Sequence, residues 1–128
     1  MKKILSLILI IAVIFFLHGN KLSAQTVNAS VFRHIVIITF KQDAPADSIK
    51  ALDDIYERLS KDPSVKDFET GVNISTRDTG VIKHVYVTTF ASKNNMDNYK
   101  NQLLYKELFK VSLNISDNVT VADYWAMK

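Results

Sequence analysis

The sequence contains no cysteine. That absence excludes a thiol nucleophile, a disulfide framework, a thiolate metal site and a lipid-attachment cysteine. Glycine and proline are scarce, three and two residues in 128. The three glycines, Gly19, Gly71 and Gly80, stand too far apart to write a Gly-rich phosphate loop. No repeat, low-complexity segment or interdomain linker divides the chain. Histidine is sparse too. His18 closes an N-terminal apolar run, and His34 and His84 stand far apart. With no His-x-x-x-His spacing, no metal site is expected.

An excess of charge of one sign is missing from most of the chain. Lys2, Lys3 and Lys21 are the only ionised residues of the first 24, and all are basic. The remainder holds 13 basic and 13 acidic residues, so the basic excess belongs to the N-terminal segment. Without a basic footprint, no nucleic-acid partner is expected. Met1–Lys3 begins basic, Ile4–Leu17 is apolar apart from Ser6, and Leu22-Ser23-Ala24 supplies small residues. This pattern predicts a signal peptide over 1–24, cut after Ala24, and a secreted or periplasmic protein of bacterial type. The apolar run has 14 residues, short of the roughly 20 that span a bilayer, so no stable membrane span is expected after cleavage. Residues 25–31 read as a polar leader, and 32–128 as one domain.

What is present is strand signal. Phe32–Lys41 (FRHIVIITFK) and Lys83–Ala91 (KHVYVTTFA) are rich in β-branched and aromatic residues. Alternation puts His34, Val36, Ile38 and Phe40 on one face of the first, and His84, Tyr86 and Thr88 on the matching face of the second. The opposite faces carry Ile35 and Ile37, and Val85 and Val87. Both faces are apolar, so such a sheet needs two covers. The chain's helices can supply one. A second copy is the natural source of the other, with Ile35, Ile37, Val85 and Val87 as the interface.

Between these strands, Pro45 suits the first position of a helix, whose stripe is Ile49, Leu52, Ile55, Tyr56 and Leu59; Asp62-Pro63 stops it. Val65–Ile74 is a weaker strand in which Gly71 marks a bulge or a close approach. It forms a hairpin with the strand from Lys83. Ser92 caps a second helical region, unbroken by Pro or Gly, with Met96, Tyr99, Leu103, Leu104 and Leu108 on its stripe. Ile115–Asn118 turns into a last strand, Val119–Trp125. The order β-α-β-β-α-β predicts an α+β, ferredoxin-like antiparallel sheet with helices on one face.

On Arg33-His34-Ile35-Val36, Phe40-Lys41, Phe68-Glu69, Gly71, Asn73, His84, Thr89-Phe90, Tyr99 and Asp123-Tyr124, the chain resembles the stress-responsive A/B barrel (Dabb) domains of the dimeric α+β barrel superfamily. The resemblance implies a homodimer with sheets face to face and a pocket between sheet and helices in each subunit. That pocket would be lined by His34, Val36, Ile38, Phe40, His84, Tyr86, Thr88, Tyr99 and Tyr105. A plant polyketide cyclase of this fold uses a Tyr–His pair. Its tyrosine corresponds to Tyr99, but its histidine position is Tyr105 here.

The expected function is therefore binding of a small apolar or aromatic ligand by a homodimer, without a cofactor. The alternatives are a cofactor-independent lyase, isomerase or monooxygenase using His34, His84 and Tyr99, and a stress-related interaction protein with no pocket function.

Overall fold

The computed structural model describes residues 30–126. The expected signal peptide and nearly all of the leader lie outside the described residues. A four-stranded antiparallel sheet is built from β1 (Phe32–Phe40), β2 (Val65–Val72), β3 (Lys83–Phe90) and β4 (Ser116–Trp125), in the order β2-β3-β1-β4. Three helices, α1 (Ala46–Leu59), α2 (Lys93–Lys100) and α3 (Leu103–Ile115), complete it. The ferredoxin-like α+β architecture expected from the strand and helix order is the one observed.

β1 and β3 occupy the centre because they alone are apolar on both faces. Their even-numbered residues point under the helices: Val36, Ile38, Phe40, Tyr86 and Phe90 are all buried. α1 buries Ile49, Leu52, Ile55, Tyr56 and Leu59 against them, the stripe that its spacing dictates. Leu52 and Leu59 lose essentially all their exposure. Burial of a leucine side chain stabilises the fold by about 1.5–3 kcal/mol. Leu52→Ala would cost more, about 2–5 kcal/mol, because a cavity remains. The odd-numbered face, with Ile35, Ile37, Val85 and Val87, is covered by no element among the described residues and stays partly exposed.

Four local readings need correction. The expected unbroken helix after Ser92 is two helices, although no glycine or proline intervenes. Ser92 does cap α2, its hydroxyl accepting from the Asn95 amide at 3.1 Å. The break comes at Gln102, which turns extended at φ −66° and ψ 147°. There its side-chain amide donates to Asp62 at 2.6 Å, and Asp62 also accepts from the Ser64 amide at 2.8 Å and from the Ser64 hydroxyl. A tertiary contact thus outweighs local propensity. The turn expected at Ile115–Asn118 is absent: β4 starts at once, with Ser116 opposite Phe40 across a register shift. Gly71 marks no bulge. The irregularity lies between Val65 and Asp67, and a Cβ on Gly71 would touch nothing within 4 Å. Pro45 is the residue before the helix rather than its first, at φ −62° and ψ 134°.

Candidate functional site

The two strand histidines share the inner face but stand at its opposite ends. His34 lies across from Thr88, and His84 across from Ile38. Four residues of strand separate these rows, roughly 13 Å at about 3.3 Å per residue. Val36 and Ile38 fill the space between as packed core. The nine residues expected to line one pocket therefore divide. His34, Thr88, Tyr99 and Tyr105 gather at one end, His84 and Tyr86 at the other, and Val36, Ile38 and Phe40 belong to the core.

At the first end the sheet register brings Asp123 of β4 opposite His34 of β1. The Nδ1 of His34 and Oδ1 of Asp123 are 2.5 Å apart, and Oδ2 of Asp123 accepts from Lys100 Nζ at 3.1 Å. Burial pushes the His34 imidazole below its ordinary pKa; the bond to Asp123 opposes this and the charge of Lys100 adds to it. Asp123 would be raised by burial alone, but the hydrogen bonds from His34 and Lys100 bring it down. The pair is thus a neutral imidazole beside a carboxylate. A carboxylate can only accept, so Nδ1 carries the proton and Nε2 the lone pair. Nε2 looks toward the Tyr105 hydroxyl at a loose 3.4 Å.

Above this pair, Tyr99 and Tyr105 meet edge to face with ring centres 5.3 Å apart. Tyr99 is 0% exposed and Thr88 1%. Their hydroxyls lie close enough for Thr88 to oppose the effect of burial on the Tyr99 phenol, though outside full hydrogen-bond geometry, and neither has another partner among the described residues. Burial raises the pKa of Tyr99, and it raises that of Tyr105 with help from the Asp123 charge. Both phenols are donors at neutral pH, and Tyr105, half-buried, stands at the boundary with solvent.

At the other end, Oδ1 of Asp53 on α1 accepts from Tyr86 at 2.5 Å and lies 2.9 Å from His84 Nδ1. Tyr56 stacks on Tyr86 at 3.6 Å, the planes only 11° apart, and Phe40 meets His84 edge-on at 5.0 Å. Burial and the bond to Asp53 both raise the pKa of Tyr86. A cleft of about 520 Å³ opens beside this cluster, bordered by Asp53, Glu57, Lys61, Phe68, Thr70 and Tyr86. A cleft of about 610 Å³, near Phe40, Lys41, Asp43, Val81 and Asp117, has no histidine or tyrosine in its wall. Among the described residues, no three or more His, Asp or Glu side chains are grouped to hold a metal ion.

The two aspartates and Lys100 were not foreseen as partners of the histidines. The sequence did carry a signal for both acids. Asp123 occupies an inward position of β4, in register with Val119 and Val121. Asp53 falls four residues after Ile49 and three before Tyr56, within the apolar stripe of α1. Lys100 carries no such signal, because the break between α2 and α3 sets its direction.

The stress responsive A/B barrel domain model matches residues 32–126. No curated protein matches the sequence. Among solved structures, a protein of Arabidopsis thaliana is 24% identical, covering 76% of this chain and 96% of its own, with a TM-score of 0.65. The hydroxynitrile lyase of Passiflora edulis is 20% identical, covering 78% of this chain and 96% of its own, with a TM-score of 0.69. A dimeric ferredoxin-like protein of unknown function from Thermobifida fusca is 11% identical over 77% of this chain and 93% of its own, at a TM-score of 0.65. At these identities the likeness is one of fold.

Proposed function

The chain belongs to the stress responsive A/B barrel domain family, and from that premise we propose that it is an exported homodimer whose subunits each bind one small, mostly apolar compound carrying a carbonyl or hydroxyl oxygen. The observation that carries this reading is the buried pair of hydroxyls, Thr88 Oγ1 and Tyr99 OH, which have at most each other as a partner among the described residues. Buried polar groups are almost always hydrogen-bonded, and each exception asks for a partner. One guest oxygen placed between them would accept from both. Tyr105 is the side chain that must rotate to admit it. The uncovered face of Ile35, Ile37, Val85 and Val87 supports the dimer, and the dimeric form of structurally similar proteins agrees with it. Export rests on the sequence pattern of residues 1–24.

Mature protein, purified from the periplasm and examined by native mass spectrometry, is expected to carry a co-purifying small molecule. Thr88→Val and Tyr99→Phe should each lose it. Stripped of ligand, the double variant Thr88→Val/Tyr99→Phe should be at least as stable as wild type, because both members of a poorly satisfied buried pair are replaced by apolar groups of the same shape. Bare wild-type protein, together with a double variant less stable than it, would sink the reading.

A second reading is favoured by the His34–Asp123 geometry: the same interior moves a proton on its guest. A neutral imidazole, oriented through Nδ1 and presenting Nε2 inward, is a general base for an acidic O–H or C–H. Lyase chemistry such as cyanohydrin cleavage needs one such base and no cofactor, and the fold is shared with a hydroxynitrile lyase. Release of aldehyde from a panel of cyanohydrins, lost in His34→Gln, is the expected result. Rates equal to buffer across the panel would leave the protein a binder only.

A further inference from the structure

Building on the proton-transfer reading of His34, we propose that Lys100 is a positioning residue that acts through Asp123 to fix which nitrogen of His34 faces the interior and to keep that imidazole uncharged. Three side chains from three elements form one line: Lys100 Nζ at the end of α2, Asp123 on β4, and His34 on β1, joined at 3.1 Å and 2.5 Å. Each oxygen of the carboxylate has a single task, Oδ2 toward lysine and Oδ1 toward histidine. The lysine is itself held, with 29% of its side chain exposed, and Asp123 retains 32%.

A carboxylate alone beside an imidazole favours imidazolium, which has no lone pair to take a proton. A second cation on the other carboxylate oxygen offsets that pull, so the aspartate orients the ring without charging it. The remaining groups facing His34 are Tyr105 from α3 and the uncharged Thr88 from β3, and the charges acting on it are those of Asp123 and Lys100. Neither Tyr105 nor Thr88 carries charge near neutrality, so Lys100 and Asp123 alone set the local field. The position of Lys100 depends on the end of α2, where the chain turns extended at Gln102.

The test reads the ring directly and needs no substrate. Protein labelled with ¹⁵N at histidine is titrated by NMR, with His34 assigned from His34→Gln. In wild type, His34 should be the tautomer protonated at Nδ1, with a midpoint below that of a histidine in a peptide. Lys100→Met should move the midpoint up by about one pH unit, and Lys100→Arg should return it toward wild type. Asp123→Asn should change the tautomer populations, because an amide can offer a donor where the carboxylate only accepts. An unchanged midpoint in Lys100→Met, or a wild-type ring protonated at Nε2, overturns the assignment. A positive titration without any turnover of the cyanohydrin panel would leave Lys100 in this role and remove the lyase reading alone.

Discussion

Burial of a histidine makes acid a destabilising agent. His34 is held below its ordinary value chiefly by desolvation. Below about pH 6.5 the unfolded chain takes up a proton that the folded chain refuses. Stability therefore falls as pH drops through that window and rises as pH returns. Asp123, lowered in the fold, contributes above the ordinary carboxylate range and loses its contribution as pH falls through its folded value. Urea midpoints measured from pH 7 to pH 5 should decline more steeply for wild type than for His34→Gln; equal slopes would remove His34 as the titrating group. Tyr105 poses the converse case. Burial and the Asp123 charge push its phenol upward, away from any role as a base. The protein is expected to show no polyketide-cyclase activity: a linear tetraketide thioester should cyclise no faster than in buffer. Tyr105→His should keep the fold while placing a group that titrates near neutrality at the mouth of the interior.

The elements differ in how plainly they could be read. β1 and β3 were legible because Phe32–Phe40 and Lys83–Phe90 alternate β-branched and aromatic residues on both faces, a pattern that only a central strand satisfies. α1 was legible from the spacing of Ile49, Leu52, Ile55, Tyr56 and Leu59. The junction of α2 and α3 was not, since its cause is a contact 40 residues away along the chain, from Gln102 to Asp62. The candidate site was half legible. His34, Tyr99 and Tyr105 could be named from their faces, but their division from His84 depends on the register of β1 with β3. The hub at Asp62 gives an element-scale prediction. Asp62→Ala removes the acceptor for Ser64 and for Gln102 together, and should cost about 1–3 kcal/mol in chemical denaturation. Gln102→Ala should cost less, about 0.5–1.5 kcal/mol. The double variant should cost less than the sum, since the two residues share a bond. Strict additivity would show that the α2–α3 break is held by something else.

At the scale of the molecule, one sheet face is the unresolved surplus of apolar area. Ile35, Ile37, Val85 and Val87 are adjacent across β1 and β3, where Ile35 faces Val87 and Ile37 faces Val85. A charge placed there in a dimer would be desolvated without a partner, at a cost of several kcal/mol. Ile37→Asp and Val87→Asp should each convert a dimer into monomers at micromolar concentration in multi-angle light scattering, with the secondary structure kept. A wild-type mass of one chain would end the dimer proposal. The pairing of β1 with β4 leaves one more consequence. Trp125 is the sole indole of the chain, nearly half exposed and set edge-on to Phe32 at 5.1 Å. It lies two residues along β4 from Asp123. Its emission is therefore a built-in optical gauge: its colour reports wetting of that end of the sheet, without any attached dye.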